Sequence, residues 1–146
     1  MNQRILIVLL LSIFQLAAHA QNAEIFSIEE KAIRGYDVVA FFKNNQPILG
    51  NDSINYHWKD ANWYFSSNEN KELFIKNPEK YAPQYGGYCA YGTAGNHKAP
   101  TQIETWTIKE NKLYFNYNTK VKSLWNKNQD SLIEKANLYW PTLKKL

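Results

Sequence analysis

The sequence predicts an α+β domain: a small antiparallel sheet of two hairpins, short helices, and one long C-terminal amphipathic helix. Two pairs of β-rich segments each flank a short polar turn, which is typical of hairpins. Apolar residues recur at helical spacing after Asn118. Residues 21–146 are enough for one domain with its own core, and we find no linker or internal repeat.

The first twenty residues are interpreted as a cleaved signal peptide. Arg4 precedes an apolar run over residues 5–16, and Ala18-His19-Ala20 fits the small-x-small cleavage rule. The run is shorter than the roughly 20 residues of a membrane span, although an uncleaved anchor is the alternative. We therefore expect a periplasmic or secreted protein that begins near Gln21 and has no transmembrane segment after cleavage.

The first half of the mature chain is expected to hold a lead-in, one hairpin and two short helices. Residues 21–33 are the lead-in, and residues 38–42 form an apolar run that fits a buried strand or a short helix. Residues 54–58 and 62–65 predict the first hairpin. Ser66 and Glu69 have the spacing of a capping box, so a helix is expected to start there. Asn77 and Pro78 are expected to begin a second short helix.

The second half is expected to hold a helix, a hairpin and the long final helix. Residues 88–94 predict a short helix whose first turn contains Cys89 and which ends at Gly95-Asn96. Residues 105–108 and 113–116 predict the second hairpin. The final helix is expected to start after Asn118 and to end at Pro141, with residues 142–146 as a tail.

The composition excludes some partners and makes the cysteine informative. The net charge of +4 is spread along the chain without a basic run, so no nucleic-acid partner is expected. Cys89 is the only cysteine and cannot form an intramolecular disulfide. It is therefore a buried inert thiol, a metal ligand, a redox thiol or an intermolecular partner. The five tryptophans are expected mainly in the core, with an aromatic-lined pocket as the alternative.

Several stretches together resemble the secreted or periplasmic YHS-domain (seleno)proteins. The resemblance covers nearly all of residues 34–141, which we assign as the YHS-like domain. The stretches that carry it are GYDVVAFF at 35–42, WYFSS at 63–67, PEKYAPQYGGYCA at 78–90, LYFNYN at 113–118 and KANLYWP at 135–141.

The resemblance implies a fold and suggests metal binding, but it transfers no catalytic activity. Related YHS modules in heavy-metal transporters are thought to bind metal through cysteines at a strand-to-helix turn. The matching turn here, residues 65–70, contains no cysteine. Some secreted relatives have selenocysteine where Cys89 stands, and this implies redox or soft-metal chemistry for that position.

Cys89 is the first candidate functional residue, with His97 second and His57 third. A thiol at a helix start is expected to have a lowered pKa, and Gly86-Gly87 would let another molecule approach it. A short helix and loop would let His97 fold back to share one ion with Cys89, although a surface loop histidine is the alternative. His57 lies mid-strand and should face away from Tyr56 and Trp58.

A cysteine-histidine pair suits copper(I) first and zinc second. Two ligands are too few for a closed structural zinc site, so such a site would be open or shared. The chain has no phosphate-binding loop, zinc-protease motif or serine elbow, so a conventional hydrolase is not expected.

The preferred hypothesis is therefore a binding protein that handles a soft metal, most plausibly copper. The alternatives are a thiol redox protein that uses Cys89 with an external thiol partner, and a non-catalytic partner-binding module with a buried Cys89. The oligomeric state stays open.

Overall fold

The computed structural model describes residues 23–146 as a mixed α+β fold, in agreement with the predicted fold class. The expected signal peptide lies outside the described residues. The first sheet has four strands in the order β1-β2-β4-β3, and the second has two. The strands are β1 Ser27–Ile28, β2 Lys31–Ala32, β3 Asn51–Trp58, β4 Ala61–Phe65, β5 Thr107–Lys109 and β6 Lys112–Tyr114. The helices are α1 Val38–Lys43, α2 Asn68–Lys76, α3 Pro78–Tyr81, α4 Ala90–Ala94, α5 Thr119–Asn126 and α6 Gln129–Leu143.

Both hairpins are present, but the larger sheet is not purely antiparallel. β3 pairs antiparallel with β4, and β5 with β6, as expected. The lead-in adds two short strands, and β2 pairs parallel with β4 through Lys31 and Asn62. The lead-in is therefore part of the sheet, which its mostly polar sequence did not indicate.

The apolar run at 38–42 is a helix, and Asp37 fixes its start. The Asp37 carboxylate caps α1 by accepting hydrogen bonds from the backbone N–H groups of Val39 and Ala40, at 2.9 and 3.2 Å. Its other oxygen accepts from the Ser66 N–H, the Ser66 hydroxyl and the Asn70 amide, at 2.8, 2.6 and 2.7 Å. Asp37 is fully buried, so these five bonds are what satisfy its charge inside the fold.

The same network corrects the predicted start of α2. The cap is Ser67, whose hydroxyl accepts a hydrogen bond from the Asn70 N–H at 3.1 Å. The Ser66 hydroxyl instead donates to Asp37 at 2.6 Å and accepts from the Asn70 side-chain amide at 3.4 Å, so both of its hydrogen-bonding roles are used away from the α2 backbone. The capping-box prediction was therefore wrong by one residue, and a tertiary contact is the reason.

The predicted single C-terminal helix is two helices. The break falls at Lys127 and Asn128, where the Asn128 backbone leaves helical geometry (φ −153°, ψ 50°). Pro141 does not end the helix, which runs on to Leu143. Ala136 and Leu143 are both buried, so packing on either side of the proline holds this segment helical despite the lost backbone donor.

The core has two parts that meet near the second hairpin. The larger part lies between the four-stranded sheet and helices α1 and α2, and includes Trp63 and Phe74. The smaller part lies against α6 and includes Tyr114 and Trp125. Trp63 and Trp125 are fully buried, whereas Trp58, Trp106 and Trp140 are partly buried. None of the helices within residues 23–146 has the length and apolar character needed to cross a bilayer.

The Asp37 network gives a stability prediction. Changing Asp37 to Ala should lower the free energy of unfolding by at least about 3 kcal/mol, because buried donors on Ser66, Asn70 and α1 lose their acceptor. Urea denaturation measures the change. Asp52→Ala is the matched control, since that carboxylate is largely exposed and pairs only with Lys31, so its loss should cost under about 1 kcal/mol. Equal, small effects of the two substitutions would contradict this role of Asp37.

Candidate functional site

Cys89 lies where three segments of the chain meet. Its backbone N–H donates to the Ala99 carbonyl at 3.0 Å, and the next N–H, of Ala90, donates to the Phe115 carbonyl at 2.9 Å. Cys89 also forms a parallel β-bridge with Phe115. The residue is thus the N-cap of α4 and the link between that helix and the end of β6.

The two glycines before Cys89 serve the chain's own packing. Gly86 has a φ of +60°, and a Cβ there would lie 1.8 Å from the Glu24 carbonyl oxygen. The Phe26 N–H donates to the Gly86 carbonyl at 2.8 Å. The sequence suggested that these glycines would let another molecule come close to Cys89. At Gly86 the space is instead occupied by residues 24–26 of the same chain.

The Cys89 thiol is enclosed and its hydrogen-bonding capacity is filled. The residue is 1% exposed. Its sulfur accepts hydrogen bonds from the N–H groups of Gly92 and Tyr117, at 3.3 and 3.2 Å. The Cys89 sulfur lies 3.6 Å from the Asn116 Oδ1, to which its S–H donates. The thiol therefore joins α4 to the segment after β6.

Burial raises the pKa of the Cys89 thiol, so the expected lowering was wrong. The N–H groups of Gly92, Tyr117 and Tyr91 act in the opposite direction, but the loss of solvation is the larger effect. Helix α4 has only five residues and adds little charge stabilisation. At neutral pH the thiol therefore keeps its proton.

His97 does fold back onto the helix that Cys89 begins. Its backbone N–H donates to the Gly92 carbonyl at 3.1 Å, and its ring Nε2 would lie 3.2 Å from a Cβ placed on Gly92. The ring is nevertheless exposed, and its Nδ1 lies 3.3 Å from the Gly95 carbonyl oxygen. In residues 23–146 no hydrogen bond joins this ring to the Cys89 thiol, which is turned into the core.

His57 takes no part in this arrangement. It lies on β3 of the four-stranded sheet and is exposed, whereas Tyr56 and Trp58 are partly buried, as strand alternation predicted. Its Nδ1 lies 2.8 Å from the Asn62 Oδ1 on the paired strand. Over the described part of the chain, no group of three or more His, Cys, Asp or Glu side chains is placed to hold a metal ion.

Asn116 is the residue at this site that sequence reasoning missed. It is fully buried, and its Oδ1 accepts from the Tyr91 N–H at 3.2 Å as well as facing the thiol. Its Nδ2 has no hydrogen-bond partner among the described residues. The available signal was an amide directly after the apolar β-rich stretch Leu113–Phe115, a place where a buried polar side chain needs a specific partner.

A separate cleft of about 270 Å³ lies on the side of the fold formed by the lead-in and α6. Trp58, Tyr85 and Trp140 are among the residues that line it, together with several charged and polar side chains. Lys59 also lines the cleft and forms ion pairs with two further lining residues, Glu24 and Glu79, at 2.8 and 3.0 Å. Lys144 lines the cleft as well, so the cleft's two lysines balance its two carboxylates and it has no strong preference for anions or cations.

Searches of the whole chain against family models, curated proteins and solved structures give no match.

The raised pKa of the thiol predicts how the effect of Cys89→Ala depends on pH. At pH 7 the substitution should cost about 1–3 kcal/mol, because two buried N–H groups lose their acceptor. Above the ordinary thiol pKa of 9.0 the unfolded chain ionises while the folded chain keeps its proton, so the thiol's contribution to stability falls as pH rises. The cost of the substitution should therefore be smaller at pH 10 than at pH 7, as measured by urea denaturation. An equal or larger cost at pH 10 would contradict the raised pKa.

Proposed function

We propose that this chain is an exported, periplasmic or secreted domain of the YHS type that acts by binding a partner, with Cys89 as a structural thiol. The observation that carries the proposal is the enclosure of that thiol, which is 1% exposed and bonded to Gly92, Asn116 and Tyr117. A thiol in such a place is a packing and hydrogen-bonding group.

The YHS assignment rests on where the resembling stretches lie. Residues 35–42 contain the buried cap Asp37 and most of α1. Residues 78–90 contain the left-handed Gly86-Gly87 turn and lead to Cys89. These stretches therefore fall on positions that the fold constrains, which is where a family pattern would be expected.

Binding of a soft metal, copper above zinc, through Cys89 and His97 is the second candidate function. The observation in its favour is the loop that returns His97 to Gly92, three residues after Cys89. Copper(I) would replace the thiol proton without changing the charge of the site, so burial would oppose it less than it opposes a bare thiolate. Such binding would require α4 and its loop to open.

A thiol redox function is a weaker alternative. It would need a thiolate to react with an oxidant, and an external thiol to resolve the product. Burial raises the Cys89 pKa and encloses the sulfur, and both effects slow such a reaction.

Elemental mass spectrometry distinguishes the structural thiol from a metal ligand. The protein is produced by export, kept free of chelator and reconstituted with copper(I) under reducing conditions. A structural thiol predicts copper and zinc far below one equivalent in wild type, with no change in Cys89→Ser or His97→Ala.

Near-stoichiometric copper that is lost in Cys89→Ser, lowered in His97→Ala and kept in the control His57→Ala would overturn the structural assignment. That pattern would establish metal handling instead. His57→Ala is the matched control because the His57 ring is exposed, like the ring of His97, but lies on the four-stranded sheet and takes no part in the Cys89 site.

A further inference from the structure

The positive charge of the described chain is concentrated in its C-terminal helical pair. Residues 119–146, which contain α5 and α6, have six lysines and two carboxylates. Residues 23–118 have ten lysines and arginines and eleven carboxylates. One of the two side-chain carboxylates in residues 119–146, that of Asp130, is paired with Lys109 at 2.8 Å. The C-terminal helical pair is therefore the basic part of an otherwise nearly neutral chain.

Exposed apolar side chains stand among these lysines on α6 and in the three residues that follow it. Leu138 is 78% exposed, the highest value among the large apolar residues described, and Tyr139 and Leu146 are 40% and 59% exposed. Helical spacing places Lys135, Leu138, Tyr139 and Thr142 on one face of α6, and Lys145 and Leu146 lie in the turn that follows its end at Leu143. These six exposed residues form the α6 stripe.

We propose that this α6 stripe is a site for peripheral binding to an anionic lipid surface. Lysines that flank exposed leucine and tyrosine side chains are the pattern of a helix that lies in a membrane interface. Lysines near an anionic bilayer contribute favourably, and leucine and tyrosine enter the boundary between headgroups and acyl chains. Such binding needs no spanning helix, and no helix within residues 23–146 is long and apolar enough to span a bilayer.

A lipid surface fits the stripe better than an acidic protein does. A stable protein interface uses roughly 20–30 residues on each side, whereas the stripe has only six members, four on α6 and two in the turn after it. A bilayer needs no matching shape, so a few leucines with lysines beside them suffice. The inference deepens the proposed binding function by naming the partner, and it does not depend on the state of Cys89.

Vesicle co-sedimentation of the mature full-length chain tests the proposal. The probes are vesicles of equal parts phosphatidylglycerol and phosphatidylcholine, compared with phosphatidylcholine alone. We expect binding to the anionic vesicles only, weakened as salt is raised from about 0.05 to 0.5 M. Leu138→Gln should weaken partitioning about tenfold, and Lys135→Gln and Lys145→Gln about fivefold each.

Leu49→Gln is the matched control, because Leu49 is 63% exposed but lies in the nearly neutral part of the chain. It should bind vesicles as wild type does. Absence of binding to anionic vesicles, or equal losses in Leu138→Gln and Leu49→Gln, would overturn the proposal. Binding to a soluble acidic polypeptide without binding to vesicles would overturn it as well, in favour of a protein partner. Metal content and thiol chemistry are unaffected by any of these outcomes, so the two proposals fail separately.

Discussion

The junction at Cys89 is the constraint on which the arrangement of the two core regions depends. Through its backbone it is bonded to Ala99 and bridged to Phe115, and through its sulfur it holds the N–H groups of Gly92 and Tyr117. Phe115 belongs to the larger core region, while Ala90, directly after Cys89, belongs to the smaller one. A sulfur at this point can accept from two backbone segments at once, and this explains a cysteine at this position without assigning it chemistry.

The buried carboxylate of Asp37 has a comparable part where α1, β4 and α2 meet. It joins the start of α1, the end of β4 and the first turn of α2 through five donors. Both junctions solve the same problem, since short helices leave backbone N–H groups that need acceptors inside a small domain. One uses the two oxygens of a carboxyl group and the other a thiol, and burial raises the pKa of that thiol.

Much of the architecture could be predicted from local patterns, and the failures have physical causes. The hairpins and the position of α4 follow from alternation and turn residues. The start of α2 was misplaced because Ser66 bonds to a residue distant in sequence. The predicted single C-terminal helix is broken at Asn128, where the backbone leaves helical geometry. Pro141 lies inside α6 because the packing of Ala136 and Leu143 overrides the local signal of the proline.

At the candidate site, the sequence spacing allowed His97 to return to α4, and its backbone does so, while its ring is exposed as the surface-loop alternative expected. It could not show which way each side chain points, and the thiol is buried while the imidazole is exposed. It also gave no sign that Asn116 would face the thiol, because that contact joins residues 27 positions apart.

The rate at which Cys89 is alkylated in native protein, measured over a range of urea concentrations, tests the structural role of the thiol most directly. Our account predicts that the sulfur reacts only when the whole domain unfolds. The free energy of opening and its dependence on urea should then equal those of global unfolding. Fast alkylation without urea, with little dependence on urea, would show that the thiol is reached through local opening and would contradict this account.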